Sequence, residues 1–183
     1  MKKLAIVAAS KLTRNNAPFS DNSFDIWGIH KHMKAPWMKR CDAGIEIHSE
    51  EAIKDHRTKK QNKEYLEWLQ ETDTLIYTLH FKLKNSKPYP LEAIKKELLG
   101  NILQHGKPVQ NFNSSIDFAL ALAIHLGYKE IEVYGVELSS KDEFLYQRPG
   151  FAFWVALAGG RGIQIDVKCA DGQFDKNLYI GYP

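Results

Sequence analysis

The chain has 183 residues, of which 44% are hydrophobic and 26% charged. That is the balance of one globular domain, residues 1–183, large enough to bury a core without disulfide or metal staples. A formal charge of +3 is too small and too dispersed to make nucleic acid the expected partner, and no stretch is long and apolar enough to span a membrane.

Two cysteines, Cys41 and Cys169, lack the close spacing of a zinc or redox motif. The apolar run 4–9 is too short for a secretion signal. A cytoplasmic location is therefore the expectation.

Residues 4–9 (Leu-Ala-Ile-Val-Ala-Ala) read as a buried first strand. A polar segment, 10–16, follows where nucleotide-binding α/β folds place a phosphate loop. The usual glycines are missing there, so Ser10, Thr13 and Arg14 would have to hold an anion by side chain. Strands are expected at 24–30, 43–48 and 74–80, each ending on a histidine: His30, His48 and His80. Between the first two, Pro36 breaks 32–37 into a loop or short helix.

From Ser49 the pattern becomes helical, with Tyr65, Leu66, Trp68 and Leu69 facing a sheet. The charged block 54–63 reads as an exposed face or a covering loop. Residues 82–90 read as a loop, Pro90 opens a helix, and 109–112 read as a short strand.

The next segment organises the chain. Ser114 and Ser115 offer caps to an Ala/Leu-rich helix that stops at Gly127, and a strand around Ile131 and Val133 then delivers Gly135 and Glu137 to its carboxyl end. Residues 139–149 read as a loop in which Tyr146 and Arg148 can grip a ligand. An apolar helix, 151–158, is expected on the sheet, then a strand at 163–167. The aromatic tail 178–182 would dock on the body or on a second subunit, as in a homo-oligomer.

Strands alternating with helices make this an α/β domain with a mainly parallel sheet flanked by helices. Strand carboxyl ends converge on one crevice in such sheets, so His30, His48 and His80 are expected within reach of one ligand. Imidazole there serves as phosphate donor or as general acid and base. With Glu137, the histidines also leave a divalent metal open, although the sequence specifies no cofactor and no metal ligand set.

Ser114-Ser115, then 121–131 (Ala-Leu-Ala-Ile-His-Leu-Gly-Tyr-Lys-Glu-Ile) and Gly135-Val136-Glu137 together resemble the core of bacterial sialyltransferases. More of the chain resembles a group of small proteins of tailed phages and prophages. Ile26-Trp27-Gly28, Glu46-Ile47-His48, Asn85-Ser86, 89–92, Ser114-Ser115, Tyr134-Gly135-Val136, Tyr146-Gln147-Arg148-Pro149 and 160–163 match the recurring pieces of that group.

The sialyltransferase resemblance implies a Rossmann-like fold whose first loop and Ser/Thr helix start bind a cytidine nucleotide. The matches add Trp27, Gly28, Gly135 and Gln147 to the expected ligand contacts. Two departures bear on the chemistry. The first loop here is Ala8-Ala9-Ser10-Lys11, and no histidine-serine pair, the family's catalytic element, follows Glu137. Nucleotide binding is thus implied more strongly than glycosyl transfer, and sialyl transfer is not expected.

The expectation is a nucleotide- or nucleotide-sugar-binding enzyme acting at a glycosyl or phosphate centre. His30, His48 and Glu137 would carry the chemistry. The alternatives are a protein that sequesters a nucleotide signal and an assembly scaffold.

Overall fold

The computed structural model describes residues 3–55, 59–138 and 143–168. The aromatic tail, Cys169 and residues 139–142 of the expected ligand loop lie outside the described residues.

Seven strands form one sheet in which every pairing is parallel. They are β1 (Lys3–Val7), β2 (Phe24–Ile29), β3 (Ala43–Glu46), β4 (Leu75–Thr78), β5 (Ser86–Pro88), β8 (Glu130–Tyr134) and β9 (Gln164–Lys168). A separate hairpin pairs β6 (Leu103–Gln104) with β7 (Lys107–Pro108). Its turn residues His105 and Gly106 both have positive φ, the requirement of a type I′ turn. The helices are α1 (Glu50–Asp55), α2 (Lys59–Glu71), α3 (Leu91–Ile94), α4 (Ser115–His125) and α5 (Arg148–Gly160).

Sheet order is β5-β4-β3-β2-β1-β8-β9. The chain winds outward from β1 through β5, then crosses back to lay β8 on the other side of β1. That reversal makes a switch point, where the connections leaving β1 and β8 diverge and open a crevice.

Alternation along the strands divides the core. Leu4, Ile6, Trp27, Ile29 and Ile45 pack with α4 on one face. Ala5, Val7 and Ile26 face the opposite side with Phe19, and Ile76 joins Ile53, Tyr65 and Leu69 of α1 and α2 there. Asn62, Tyr65 and Leu69 are all buried, one per turn along α2.

Every residue of α4 from Ile116 to Ile124 is buried, because the sheet covers one side and α5 another. A helix apolar all round is stable in water only when enclosed in this way. Each fully buried Leu, such as Leu120 or Leu122, contributes about 1.5–3 kcal/mol.

Several sequence expectations shift. Residues 24–30, 43–48 and 74–80 are shorter strands, because the chain turns off the sheet before each histidine. Residues 109–112 are not a strand, and the β6–β7 hairpin precedes them. A short strand, β5, lies inside the expected loop 82–90. From Glu143 the expected loop is helical, a π turn over Glu143–Gln147 that runs into α5 at Arg148, with Pro149 in the first turn where its missing N–H is harmless. α5 packs on α4 and the edge strand β9 rather than across the sheet.

Candidate functional site

A cleft of about 530 Å³ opens at the carboxyl ends of β1, β2, β3 and β8. Its walls include Ser10 after β1, Ile29, His48 after β3, the start of α4 with Ser114 and Ser115, and Gly135, Glu137 and Leu138 after β8. Gln147 closes one side. This is the switch-point crevice that the topology requires.

The seam between β1 and β8 is built from backbone. Ser10 N–H donates to the Gly135 carbonyl at 2.8 Å, and Gly135 N–H donates to Thr13 Oγ1 at 2.8 Å. Gly135 has φ 71°, and a Cβ there would stand 2.5 Å from the Ala8 carbonyl oxygen. Only glycine combines that conformation with that approach. Arg14 donates to the Ala9 carbonyl at 2.6 Å, and its guanidinium lies 4.2 Å from the Trp37 ring centroid. Thr13 and Arg14 thus hold the loop in shape, and neither lines the cleft.

The second wall is the start of α4. Ser114 is the N-cap, with extended φ −155°. Asp117 reaches back, and its Oδ2 accepts the N–H of Asn113 at 2.8 Å and of Ser114 at 3.1 Å. This is a capping box with Asp in the acidic position. Gly150 of α5 lies against it: a Cβ there would sit 2.6 Å from Asp117 Oδ2. Burial pushes the Asp117 carboxyl up to about 6 against the lowering effect of these hydrogen bonds.

The third wall carries the titratable chemistry. Glu46, the last residue of β3, is 0% exposed and points to the α2 side of the sheet. Its Oε1 accepts His48 Nδ1 at 2.7 Å and the His48 backbone N–H at 2.9 Å. Its Oε2 accepts His30 Nδ1 at 2.6 Å and the Tyr65 hydroxyl at 2.6 Å. Burial alone would raise this carboxyl, but the hydrogen bonds from His30, His48 and Tyr65 outweigh it and hold Glu46 down at about 2. Glu46 in turn raises His48. His32, also on the cleft wall, is pushed down to about 4 by burial and by the neighbouring His30, Lys31 and Arg14, so it is neutral at pH 7.

His30 sits in the left-handed region at φ 48° and opens a 3₁₀ turn, His30–Lys34. Met33 anchors that turn against the sheet. A Cβ at Gly28 would stand 2.7 Å from Met33 Cγ, and one at Gly44 would stand 1.7 Å from Met33 Sδ. Both glycines make room for the turn that carries His30 and His32.

His30, Glu46 and His48 are also the kind of set that can hold a cation, their donor atoms lying within 4.8 Å of one another. Donors around a tetrahedral zinc stand about 3.3 Å apart, given metal–ligand bonds of 2.0–2.1 Å. The 2.6 and 2.7 Å separations here are hydrogen-bond lengths instead. As they stand, the three residues are hydrogen-bonded to one another.

Of the residues singled out from sequence, Ser10, His48, Ser114, Ser115, Gly135, Glu137 and Gln147 line the cleft. His30 lies outside the lining and is joined to His48 through the buried Glu46. His80 is exposed and joins neither the cleft lining nor the histidine cluster. Trp27 is buried against Tyr77 and Tyr128 and lines a separate hollow of about 370 Å³ towards the amino ends of the strands. Gly28 supports Met33 instead of meeting a ligand. Tyr146 is exposed, and Arg148 is partly buried in the first turn of α5. Glu46, His32 and Asp117 were not among the expected site residues; the matched piece Glu46-Ile47-His48 and the capping-box spacing of Ser114 and Asp117 were the available signs for two of them.

Fold and crevice define a doubly wound α/β protein with a cleft at the switch point of its sheet. The same fold occurs in the sialyltransferase CstII from Campylobacter jejuni. In complex with the substrate analogue CMP-3FNeuAc, that enzyme matches 94% of this chain and 81% of its own, with TM-score 0.54 and 16% identity. Its complex with cytidine-5′-monophosphate matches 92% and 80%, with TM-score 0.55 and 16% identity. At that identity the likeness is one of fold. No family model matches this sequence, and no curated protein matches it significantly. No helix among the described residues is long and apolar enough to cross a membrane.

Proposed function

We propose that the protein binds a nucleotide or nucleotide sugar in the switch-point cleft and transfers or hydrolyses a glycosyl or phosphate group. The observation that carries this reading is the placement of a helix start, Ser114 and Ser115 of α4, and a carboxylate-bound histidine, His48, on walls of one cleft. The first suits an anion, since the N–H groups of a helix start lack partners within the helix. The second suits proton transfer. Structures of the same fold that hold CMP or a CMP-sugar analogue support the choice of ligand class.

In this reading Ser114, Ser115 and the α4 N-terminus hold phosphate, Glu137 binds a ribose hydroxyl or acts as base, and Arg148 neutralises developing charge. His48 exchanges the proton, with Ser10 and Gln147 bounding the ligand. The last histidine of the sequence is His125, so no catalytic histidine follows Glu137. The chemistry is accordingly proposed as related to, and distinct from, sialyl transfer. The motif set favours a phage or prophage protein, and the two widely spaced cysteines favour the cytoplasm.

A thermal-shift panel of mononucleotides, cyclic nucleotides and nucleotide sugars, with and without divalent metal, tests the reading. A ligand bound only by the native state raises stability by about RT ln(1 + [L]/Kd). A selective shift, followed by product in mass spectrometry, supports an enzyme. A flat panel at millimolar ligand removes the nucleotide reading, and a bound ligand recovered intact replaces the enzyme with a sequestering protein.

A further inference from the structure

Glu46 stands apart from every other acidic residue described. It is fully buried, it ends a strand at the cleft, and four donors converge on it from three elements: His30 from the turn after β2, His48 and its own N–H from the residues after β3, and Tyr65 from α2. An ionised carboxylate is acceptor-only and offers about four lone-pair positions. All four are filled, two on each oxygen.

We propose that Glu46 is the positioning residue of a two-histidine unit, holding the proton of His30 and His48 on Nδ1 so that His48 presents Nε2 to the cleft as a hydrogen-bond acceptor. The argument is a donor count. Each Nδ1 lies 2.6–2.7 Å from an oxygen that can only accept, so each Nδ1 carries hydrogen. A neutral imidazole has one N–H, and Nε2 is then a lone pair. His48 lines the cleft with its side chain 41% exposed, whereas His30 is 23% exposed and outside the lining. His48 is therefore the member that meets a ligand, and His30 completes the set that fixes the carboxylate.

The chemistry of the ligand group follows. A lone pair receives a proton donor, so neutral His48 takes a hydroxyl of the ligand and not an unprotonated phosphate oxygen. When that hydroxyl reacts, its proton passes to Nε2 and the electron pair stays on the oxygen. The resulting imidazolium is stabilised by Glu46, as in other histidines oriented by a carboxylate. The catalytic consequence rests on the proposed function; the tautomer does not.

Long-range ¹H–¹⁵N spectra of the histidine rings above the titration of His48, without ligand, test the assignment. Nδ1–H tautomers at His30 and His48, with at least one of the two rings moving towards Nε2–H in Glu46→Gln, whose amide keeps one accepting oxygen where the carboxylate has two, support it. An Nε2–H tautomer of His48 in the wild type, or both rings unchanged in Glu46→Gln, overturns it. If Glu46→Gln does not fold, Tyr65→Phe serves instead, because it frees one position on Oε2 and keeps the carboxylate. Ring resonances of His30 should then move while His48 stays Nδ1–H, and movement of His48 with His30 unchanged overturns the assignment. Once turnover is in hand, folded Glu46→Gln should lower kcat at least tenfold with little change in KM, whereas an unchanged kcat removes the positioning role. A flat nucleotide panel beside the expected tautomers supports the Glu46 assignment and counts against the nucleotide reading alone.

Discussion

A Cβ on Gly135 would stand 2.5 Å from the carbonyl oxygen of Ala8. These two residues directly follow the neighbouring strands β8 and β1, and their approach closes the floor of the cleft. Gly135→Ala must shift one strand end and also occupy φ 71°, so we expect a loss of at least about 2 kcal/mol. Urea denaturation measures this; a change within about 0.5 kcal/mol would show that the seam relaxes freely.

Glu46 makes stability sensitive to acid. Its carboxyl falls from an ordinary 4.5 to about 2 in the folded state. The folded form therefore gains stability that is complete above pH 4.5 and disappears as pH drops towards 2, on the order of 3 kcal/mol. Glu46→Gln lacks this dependence, so wild type should exceed the variant at pH 7 and lose that advantage by about pH 2. A constant gap across denaturation curves at pH 7, 4 and 2.5 would contradict the assignment.

Asp117 acts in the opposite direction. Its folded carboxyl rises from 3.8 to about 6, so the folded state binds the proton more tightly than the unfolded chain. Stability from this group grows as pH falls from 6, is complete below 3.8, and is worth on the order of 3 kcal/mol. Asp117→Asn keeps an oxygen for the N–H groups of Asn113 and Ser114 and abolishes the titration. Thermal melts at pH 8 and pH 4 should diverge between wild type and variant, and parallel melts would refute the shift.

His48 and His80 both follow strands, yet they separate in space. His48→Ala should lower turnover by roughly 10²-fold or more if it handles the proton. His80→Ala should leave affinity and turnover unchanged, since His80 is exposed and outside the cleft lining. Equal losses in the two variants would mean that the cleft is not where the chemistry occurs.

Much of the fold was legible from local pattern. The segment from Ser114 to Glu137 could be read directly, because a cap, an apolar helix, a glycine stop and a β-branched strand are encoded by neighbours in sequence. Gly127 adopts φ 79° at that stop, as helix termination there requires. His48, Ser114, Ser115 and Glu137 could be placed at strand ends and a helix start, and those positions converge in any doubly wound sheet.

What the sequence by itself determined was the alternation of strands and helices, and with it a crevice at the strand carboxyl ends. Tertiary structure alone decided which polar residues face that crevice and in what state. The interior of Glu46 is made by Tyr65, nineteen residues away, and by a His30 turn that closes only because Gly28 and Gly44 leave space for Met33. Asp117 is hidden in a helix whose every side is covered by other elements. Protonation and tautomer follow from burial and from donors contributed by distant segments, and those are set by how the sheet, α2, α4 and α5 pack together.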